Sequence, residues 1–121
     1  MTKSASRTGR LADQIQRDLA ELIRSELKDP RVDLVTITDV EVSADYSHAR
    51  VFFTSLRGDG AAGAALEGLR SASGFLRSRL AKALRIRTVP ELHFEYDESI
   101  QRGARLSRLI DEAVGKTARE D

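Results

Sequence analysis

The chain has 121 residues, of which 40% are hydrophobic, so it can bury the core of one domain of ordinary size and has no room for a second. It contains no cysteine, which excludes disulfide bonds and thiolate metal sites, and we expect a cytoplasmic protein. The formal net charge of +1 does not by itself indicate a polyanionic partner, and no apolar run approaches the roughly 18 residues that a membrane span needs.

The first predicted element is an amphipathic helix. Residues 1–9 are small, polar and basic, which is typical of a flexible tail. From Leu11 to Leu27 apolar residues recur at spacings of three and four. The helix should end near Lys28, because Pro30 disfavours helical geometry in the residue before it.

Two strands are predicted next, and we expect them to pair as an antiparallel hairpin. Residues 35–42 are rich in β-branched side chains that alternate in two phases, which indicates a bulge near Thr38 or Asp39. After a turn, alternation resumes with Val51 and Phe53 on one face of the second strand.

A long helix with a break in its middle follows the hairpin. Leucines from Leu66 to Leu84 have helical spacing, and small residues interrupt them at Ala72, Ser73 and Gly74. We expect these three residues to kink the helix. Small residues at a kink allow either close packing against the sheet or the close approach of a ligand.

A third strand and a last helix complete the order. Alternation resumes over residues 89–96, and an amphipathic segment that begins near Ser99 precedes a flexible tail at residues 115–121. This order predicts a single α+β domain over residues 10–114, in which a three-stranded sheet carries its helices on one face.

Positive charge is concentrated in the long helix and the loop after it. Between Gly68 and Pro90 there are six basic residues and no acidic one. The predicted RNA-binding residues are these cations and part of the break: Arg70, Ser73, Gly74, Arg77, Arg79, Lys82, Arg85 and Arg87. Four further cations are predicted to extend this surface: Arg7, Arg10, Lys28 and Arg31. Because the candidate surface has few aromatic side chains, recognition should involve phosphates and shape more than bases.

Motifs for catalysis and metal binding are weak. His48 and His93 have no second ligand at helical or hairpin spacing, so both are interpreted as surface residues without a metal. Asp45 lies near His48, but residues this close in a turn more often hydrogen-bond their own backbone than form a triad. Gly60 and Gly63 match a GxxG nucleotide clamp but precede the helix. We expect no catalytic residue and no cofactor.

Four segments share their order and spacing with a known family. They are Glu26 to Arg31, Thr36 to Ser43 with Asp45, Ala72 to Arg77, and Pro90 to Phe94 with Asp97, Ser99 and Gly103. The chain resembles the ribosome-binding factor A family over about residues 10–110. No single segment is specific, and the resemblance depends on all four together.

The resemblance implies a KH-like domain of the type II order, in which a kink at Ala72, Ser73 and Gly74 replaces the usual GxxG loop. It also implies a non-enzymatic factor that binds free 30S subunits and 16S rRNA near the 5′-terminal helix and neck. Such a factor supports late 30S maturation and 16S rRNA processing. Cold adaptation and release by a ribosome-dependent GTPase are further implied properties, and we expect a monomer with no membrane partner.

Other interpretations stay open at the level of sequence. A general KH-type single-strand RNA-binding protein, or a ribosome-associated stress protein, would bind short RNA or whole ribosomes as well as free 30S subunits. A small hydrolase would use His48 with Asp45. A protein-interaction module would place the basic face against an acidic protein.

Overall fold

A computed structural model describes residues 6–98 as a mixed three-stranded sheet with three helices. The helices are α1 (Arg7–Glu26), α2 (Ala62–Ser71) and α3 (Ser73–Leu84). The strands are β1 (Val35–Val42), β2 (His48–Ser55) and β3 (Glu91–Tyr96), and 3-10 turns occupy Pro30–Val32 and Asp59–Ala61. The sheet order is β1-β2-β3, with β1 antiparallel and β3 parallel to β2. The predicted order of elements is confirmed as far as β3, and the last predicted helix and tail lie outside the described residues.

Helix α1 begins earlier than its apolar pattern predicts. The Ser6 backbone is extended, and its hydroxyl accepts a hydrogen bond from the Gly9 amide at 2.9 Å, which caps the helix. Residues 7–9, predicted as part of the flexible tail, therefore form the first turn. The cap lies in a polar segment where no apolar periodicity marks a helix start. At its other end α1 stops at Glu26, before the predicted boundary at Lys28.

The predicted bulge in β1 is confirmed. The antiparallel register with β2 shifts between Ile37 and Asp39, which leaves Thr38 without a paired residue on β2. The extra residue returns Val40 to the same face as Ile37, and both side chains are buried. Alternation in two phases therefore marks one strand that keeps a single buried face across a bulge.

The hydrophobic core lies between the sheet and the helices. Helix α1 packs against β1 and α3, whereas α2 packs against β3 and the first 3-10 turn. The fully buried side chains include Ile15 and Leu19 from α1, Val51 and Phe53 from β2, and Leu76 from α3. No described element covers the other face of the sheet, so the predicted arrangement of helices on one face is confirmed.

Helix α2 packs closely against its neighbours at Gly68, which is not part of the predicted break. A Cβ at Gly68 would lie 2.8 Å from Cγ1 of Val32 and 3.2 Å from Cβ of Arg31, so α2 reaches the first 3-10 turn only without a side chain there. The helix is interrupted at Ala72, which separates α2 from α3, whereas Ser73 and Gly74 of the predicted break lie within α3. Gly74 is exposed, and no described atom outside its own helix would contact its Cβ. Packing therefore does not require glycine at position 74.

Candidate nucleic-acid interface

Four exposed cations on α2, α3 and the following loop are the residues best placed to meet a polyanion. They are Arg70, Lys82, Arg85 and Arg87. Their side chains form no hydrogen bond or ion pair with the described residues. We refer to these four residues as the outer cations. Because no described carboxylate neutralises them, their charge is available for phosphate.

Arg85 ends α3 in the left-handed conformation. Its φ is 56° and its ψ is 39°, and its backbone amide donates to the Ala81 carbonyl. Glycine is common at such helix ends, because a side chain in this conformation costs about 1–2 kcal/mol. Arg85 and Lys82 also lie at the negative end of the helix dipole, where cations are stabilised. An arginine thus occupies a position where backbone geometry favours glycine.

Two cations predicted to bind RNA have partners within the fold. Arg77 is half-buried, and its Nη2 donates to the Val89 carbonyl at 2.8 Å, which ties α3 to the segment before β3. Arg31 donates to Asp29 (Nη2 to Oδ2, 2.7 Å) and lies 3.8 Å from a carboxylate oxygen of Glu67. The hydrogen bond from Arg31 lowers the pKa of Asp29 and keeps that carboxylate charged. Both side chains thus have partners within the fold, and their contact with RNA stays a prediction.

Arg79 contacts both the fold and an exposed aromatic ring. Its Nη1 lies 3.8 Å from a carboxylate oxygen of Glu26, and its guanidinium lies 5.0 Å from the centroid of the Phe75 ring. Phe75 is 39% exposed, and it directly follows Gly74, which has no side chain. Sequence reasoning missed this ring because a phenylalanine beside a leucine stripe indicates core. The observed ring offers one stacking surface for a base.

The remaining predicted residues are dispersed. Ser73 is half-buried at the start of α3, and Lys28 is exposed after α1. Arg7 and Arg10 are exposed in the first turns of α1. The far end of α1 contacts Arg79 through Glu26, and a helix of 20 residues is about 30 Å long. The two N-terminal arginines therefore lie far from that contact.

The uncovered face of the sheet has the opposite charge. Its carboxylates are Asp39, Glu41, Glu91, Glu95 and Asp97. Arg50 lies among them, with Nε 2.6 Å from Glu95 Oε2 and Nη1 3.4 Å from Glu41 Oε1. The hydrogen bond from Arg50 lowers the pKa of Glu95, so this carboxylate stays ionised. A phosphate backbone would be repelled here, which favours the helical side as the interface.

Comparison with known proteins identifies the family. The family model described as ribosome-binding factor A matches residues 7–110. The chain belongs to the ribosome-binding factor A family. A ribosome-binding factor A of Azoarcus sp. strain BH72 is 60% identical over 114 residues, which are 94% of this chain and 90% of that protein. The crystal structure of ribosome-binding factor A from Thermus thermophilus has a TM-score of 0.68 and 34% identity, and the match covers 76% of this chain and 97% of that chain.

A further comparison involves the small subunit. A homology model of Thermus thermophilus ribosome-binding factor A, fitted into the cryo-EM map of a complex of that protein with 30S, has a TM-score of 0.61 and 34% identity. The match covers 72% of this chain and 91% of that chain. Membership of the ribosome-binding factor A family makes this chain a ribosome-associated factor with the expected KH-like α+β fold. Within residues 6–98, no helix has the length and apolar character needed to cross a membrane.

Sequence reasoning also missed a cluster of polar side chains on the sheet. His48 is paired with Glu91 across β2 and β3, and His93 follows Glu91 on the same face. Nδ1 of His48 lies 2.9 Å from Nε2 of His93 and 4.0 Å from Oε2 of Glu91. Both histidines are exposed, as the sequence predicts, but potential metal ligands lie within 4.8 Å of each other here, which helical or hairpin spacing did not reveal. The parallel register of β3 brings them together, and residue spacing along one strand does not reveal it.

Proposed function

We propose that this chain is an assembly factor that binds the free 30S ribosomal subunit through 16S rRNA and supports late 30S maturation and 16S rRNA processing. The 30S complex of the Thermus thermophilus relative supports the choice of subunit. The observation that carries the proposal is the set of outer cations, which no described residue neutralises. Arg70, Lys82 and Arg85 lie on the helices or at the end of α3, and the helices cover the opposite side of the sheet from the acidic face, which gives the molecule one side suited to RNA.

The outer cations would act mainly on the rRNA backbone. Each exposed guanidinium or ammonium group can neutralise about one phosphate and release its condensed counterions. Phosphate contacts fix orientation and register but carry little sequence information. Phe75, with Arg79 over its ring, supplies one stacking surface beside them. Recognition would therefore depend on the shape of an rRNA region, which we propose lies near the 5′-terminal helix and neck.

Binding of this kind supports maturation without catalysis. A factor that fits an immature rRNA arrangement better than the mature one stabilises the former and loses affinity as the subunit matures. This mechanism breaks no covalent bond and needs neither a catalytic residue nor a cofactor in this chain. We include in the proposal a cytoplasmic, monomeric protein, a role in cold adaptation and a ribosome-dependent GTPase that releases it.

Sedimentation and crosslinking test this proposal. Wild-type protein should co-sediment with free 30S subunits, should be absent from complete ribosomes, and should crosslink to 16S rRNA near the 5′-terminal helix and neck. The test variant carries Lys82→Gln, Arg85→Gln and Arg87→Gln. The matched control removes the same charge from exposed positions elsewhere, with Arg17→Gln, Arg24→Gln and Arg57→Gln. The test variant should lose most 30S binding and the control should keep it.

Two results would contradict the proposal. Unchanged 30S binding by a folded test variant would remove Lys82, Arg85 and Arg87 from the interface. Equal binding of the wild-type protein to unstructured RNA or to complete ribosomes would instead favour a general single-strand RNA-binding protein or a ribosome-associated stress protein.

A further inference from the structure

Three side chains that commonly bind metals meet at one end of the uncovered sheet face. They are His48, Glu91 and His93, whose donor atoms all lie within 4.8 Å of one another. We propose that these residues form a binding site for a divalent transition-metal ion, with zinc as the expected occupant. The site uses none of the outer cations.

The backbone fixes the positions of all three ligands. The parallel ladder places His48 opposite Glu91, and residues 91 and 93 share a face because alternate residues of a strand point the same way. The ladder is extended by the Glu91 amide, which donates to the Ser47 carbonyl at 2.9 Å. The His48 amide donates to Oγ of Ser43 at 3.0 Å. Only side-chain rotation is therefore needed to adjust the donor atoms.

The donor separations are close to those of a metal site. Ligands at about 2.0–2.1 Å from a tetrahedral zinc ion lie about 3.3–3.4 Å from one another. The observed separations are 2.9 Å between Nδ1 of His48 and Nε2 of His93, and 4.0 Å from the same Nδ1 to Oε2 of Glu91. Small rotations of these exposed side chains would bring the observed separations to those expected around a zinc ion.

The contact between the two imidazoles is a hydrogen bond that a metal ion can replace. Two ring nitrogens 2.9 Å apart need one hydrogen between them, donated by one ring and accepted by the other. A metal ion between the rings would bind both nitrogens as neutral imidazoles, and the shared proton would move to the other nitrogen of the ring that donated it. Glu91 would add a negative charge, which offsets part of the charge of the ion.

The donor set and its surroundings indicate the class of ion. Two imidazole nitrogens and one carboxylate suit zinc and its transition-metal neighbours, whereas magnesium and calcium prefer oxygen ligands alone. All three side chains are exposed, so an ion can enter directly and water can complete its coordination.

Zinc titration of the chain without an affinity tag tests the proposal. His48 and His93 are the only histidines in the chain and cysteine is absent, so untagged protein offers no competing strong ligands. We expect calorimetry to show saturable binding of one zinc ion after chelator treatment, and the melting temperature to rise with zinc concentration. Magnesium at the same concentration should do neither.

Single substitutions then assign the ligands. His48→Gln and His93→Gln should each abolish the zinc-dependent rise in melting temperature, and Glu91→Gln should weaken zinc binding. The matched control Glu67→Gln changes an exposed glutamate on α2, and its melting temperature should rise with zinc as that of the wild type does. Cobalt absorption in the visible range gives a second readout that requires direct coordination. Absence of saturable zinc binding in the wild type, or equal binding in a folded His48→Gln/His93→Gln variant, would overturn the proposal.

Discussion

The inward and outward sides of α2 and α3 use the same residue types for opposite purposes. Gly68 faces inward, where the backbone contacts the first 3-10 turn. Gly74 is exposed, and a side chain there would meet no described atom outside its own helix. Arg77 is tied to the Val89 carbonyl, whereas Arg85 ends the helix without a side-chain partner among the described residues. Residue type and helical position alone therefore do not determine a role; the tertiary neighbour of each residue does.

Reversing the outward charge should have the largest effect. A variant with Lys82→Glu, Arg85→Glu and Arg87→Glu should lose about 100-fold or more in 30S affinity at low salt, because phosphate contacts are replaced by repulsion. Filter binding or fluorescence anisotropy with purified subunits measures this.

The control for charge reversal lies on the sheet face. Glu41→Gln with Glu91→Gln changes the acidic face, and affinity should stay within a few fold of wild type. Equal losses in both variants would mean that the two faces do not differ in their relation to RNA.

Alanine at the two glycines should change stability in opposite directions. Gly68→Ala should destabilise the fold by about 1–3 kcal/mol, because its Cβ would overlap Cγ1 of Val32. Gly74→Ala should stabilise it by about 0.5–1 kcal/mol, because the position is helical and open. Chemical denaturation measures both values. A destabilised Gly74→Ala variant would show that its backbone geometry excludes a side chain.

Two cations of α3 should differ in their effect on stability. Arg77→Met should cost about 1 kcal/mol, since it removes the donor to the Val89 carbonyl. The loss is limited because the buried Nε of Arg77 has no hydrogen-bond partner among the described residues. Lys82→Gln, on the outer surface, should be neutral. Equal stability of the two variants in thermal denaturation would contradict the distinction.

Arg85→Gly should separate stability from binding. Glycine relieves the left-handed backbone, and after its greater freedom in the unfolded chain is included we expect a gain of about 0.5–1 kcal/mol. The same variant should bind 30S subunits less tightly, because an outer cation is lost. Leu34→Gly is the matched control, since Leu34 also has a positive φ (64°) and is 56% exposed. Its 30S affinity should be unchanged.

The elements and the bulge could be predicted because they depend on local patterns. The change in the phase of apolar alternation around Asp39 indicates a bulge in a strand that has one buried face. The helical spacing of the leucines indicates the buried face of a helix. The start of α1 could not be read this way, because its cap at Ser6 involves polar residues only.

The candidate site was harder to predict than the fold. A helical wheel places Arg77 and Arg79 on opposite flanks of the leucine stripe and does not distinguish their roles, but one meets a carbonyl and the other a carboxylate and an aromatic ring. The meeting of His48 with His93 depends on the parallel register of β3. The strand, helix, strand order was the available signal, because such connections usually join parallel strands.

The salt dependence of 30S binding tests the central claim, that the outer cations bind rRNA phosphates, most directly. Affinity would be measured at several salt concentrations for wild type, for Lys82→Gln/Arg85→Gln/Arg87→Gln, and for the control Arg17→Gln/Arg24→Gln/Arg57→Gln. The slope of log affinity against log salt should flatten by about 0.7–0.9 per lost phosphate contact in the first variant and stay at the wild-type value in the control. An unchanged slope in the first variant, with its fold intact, would contradict the account.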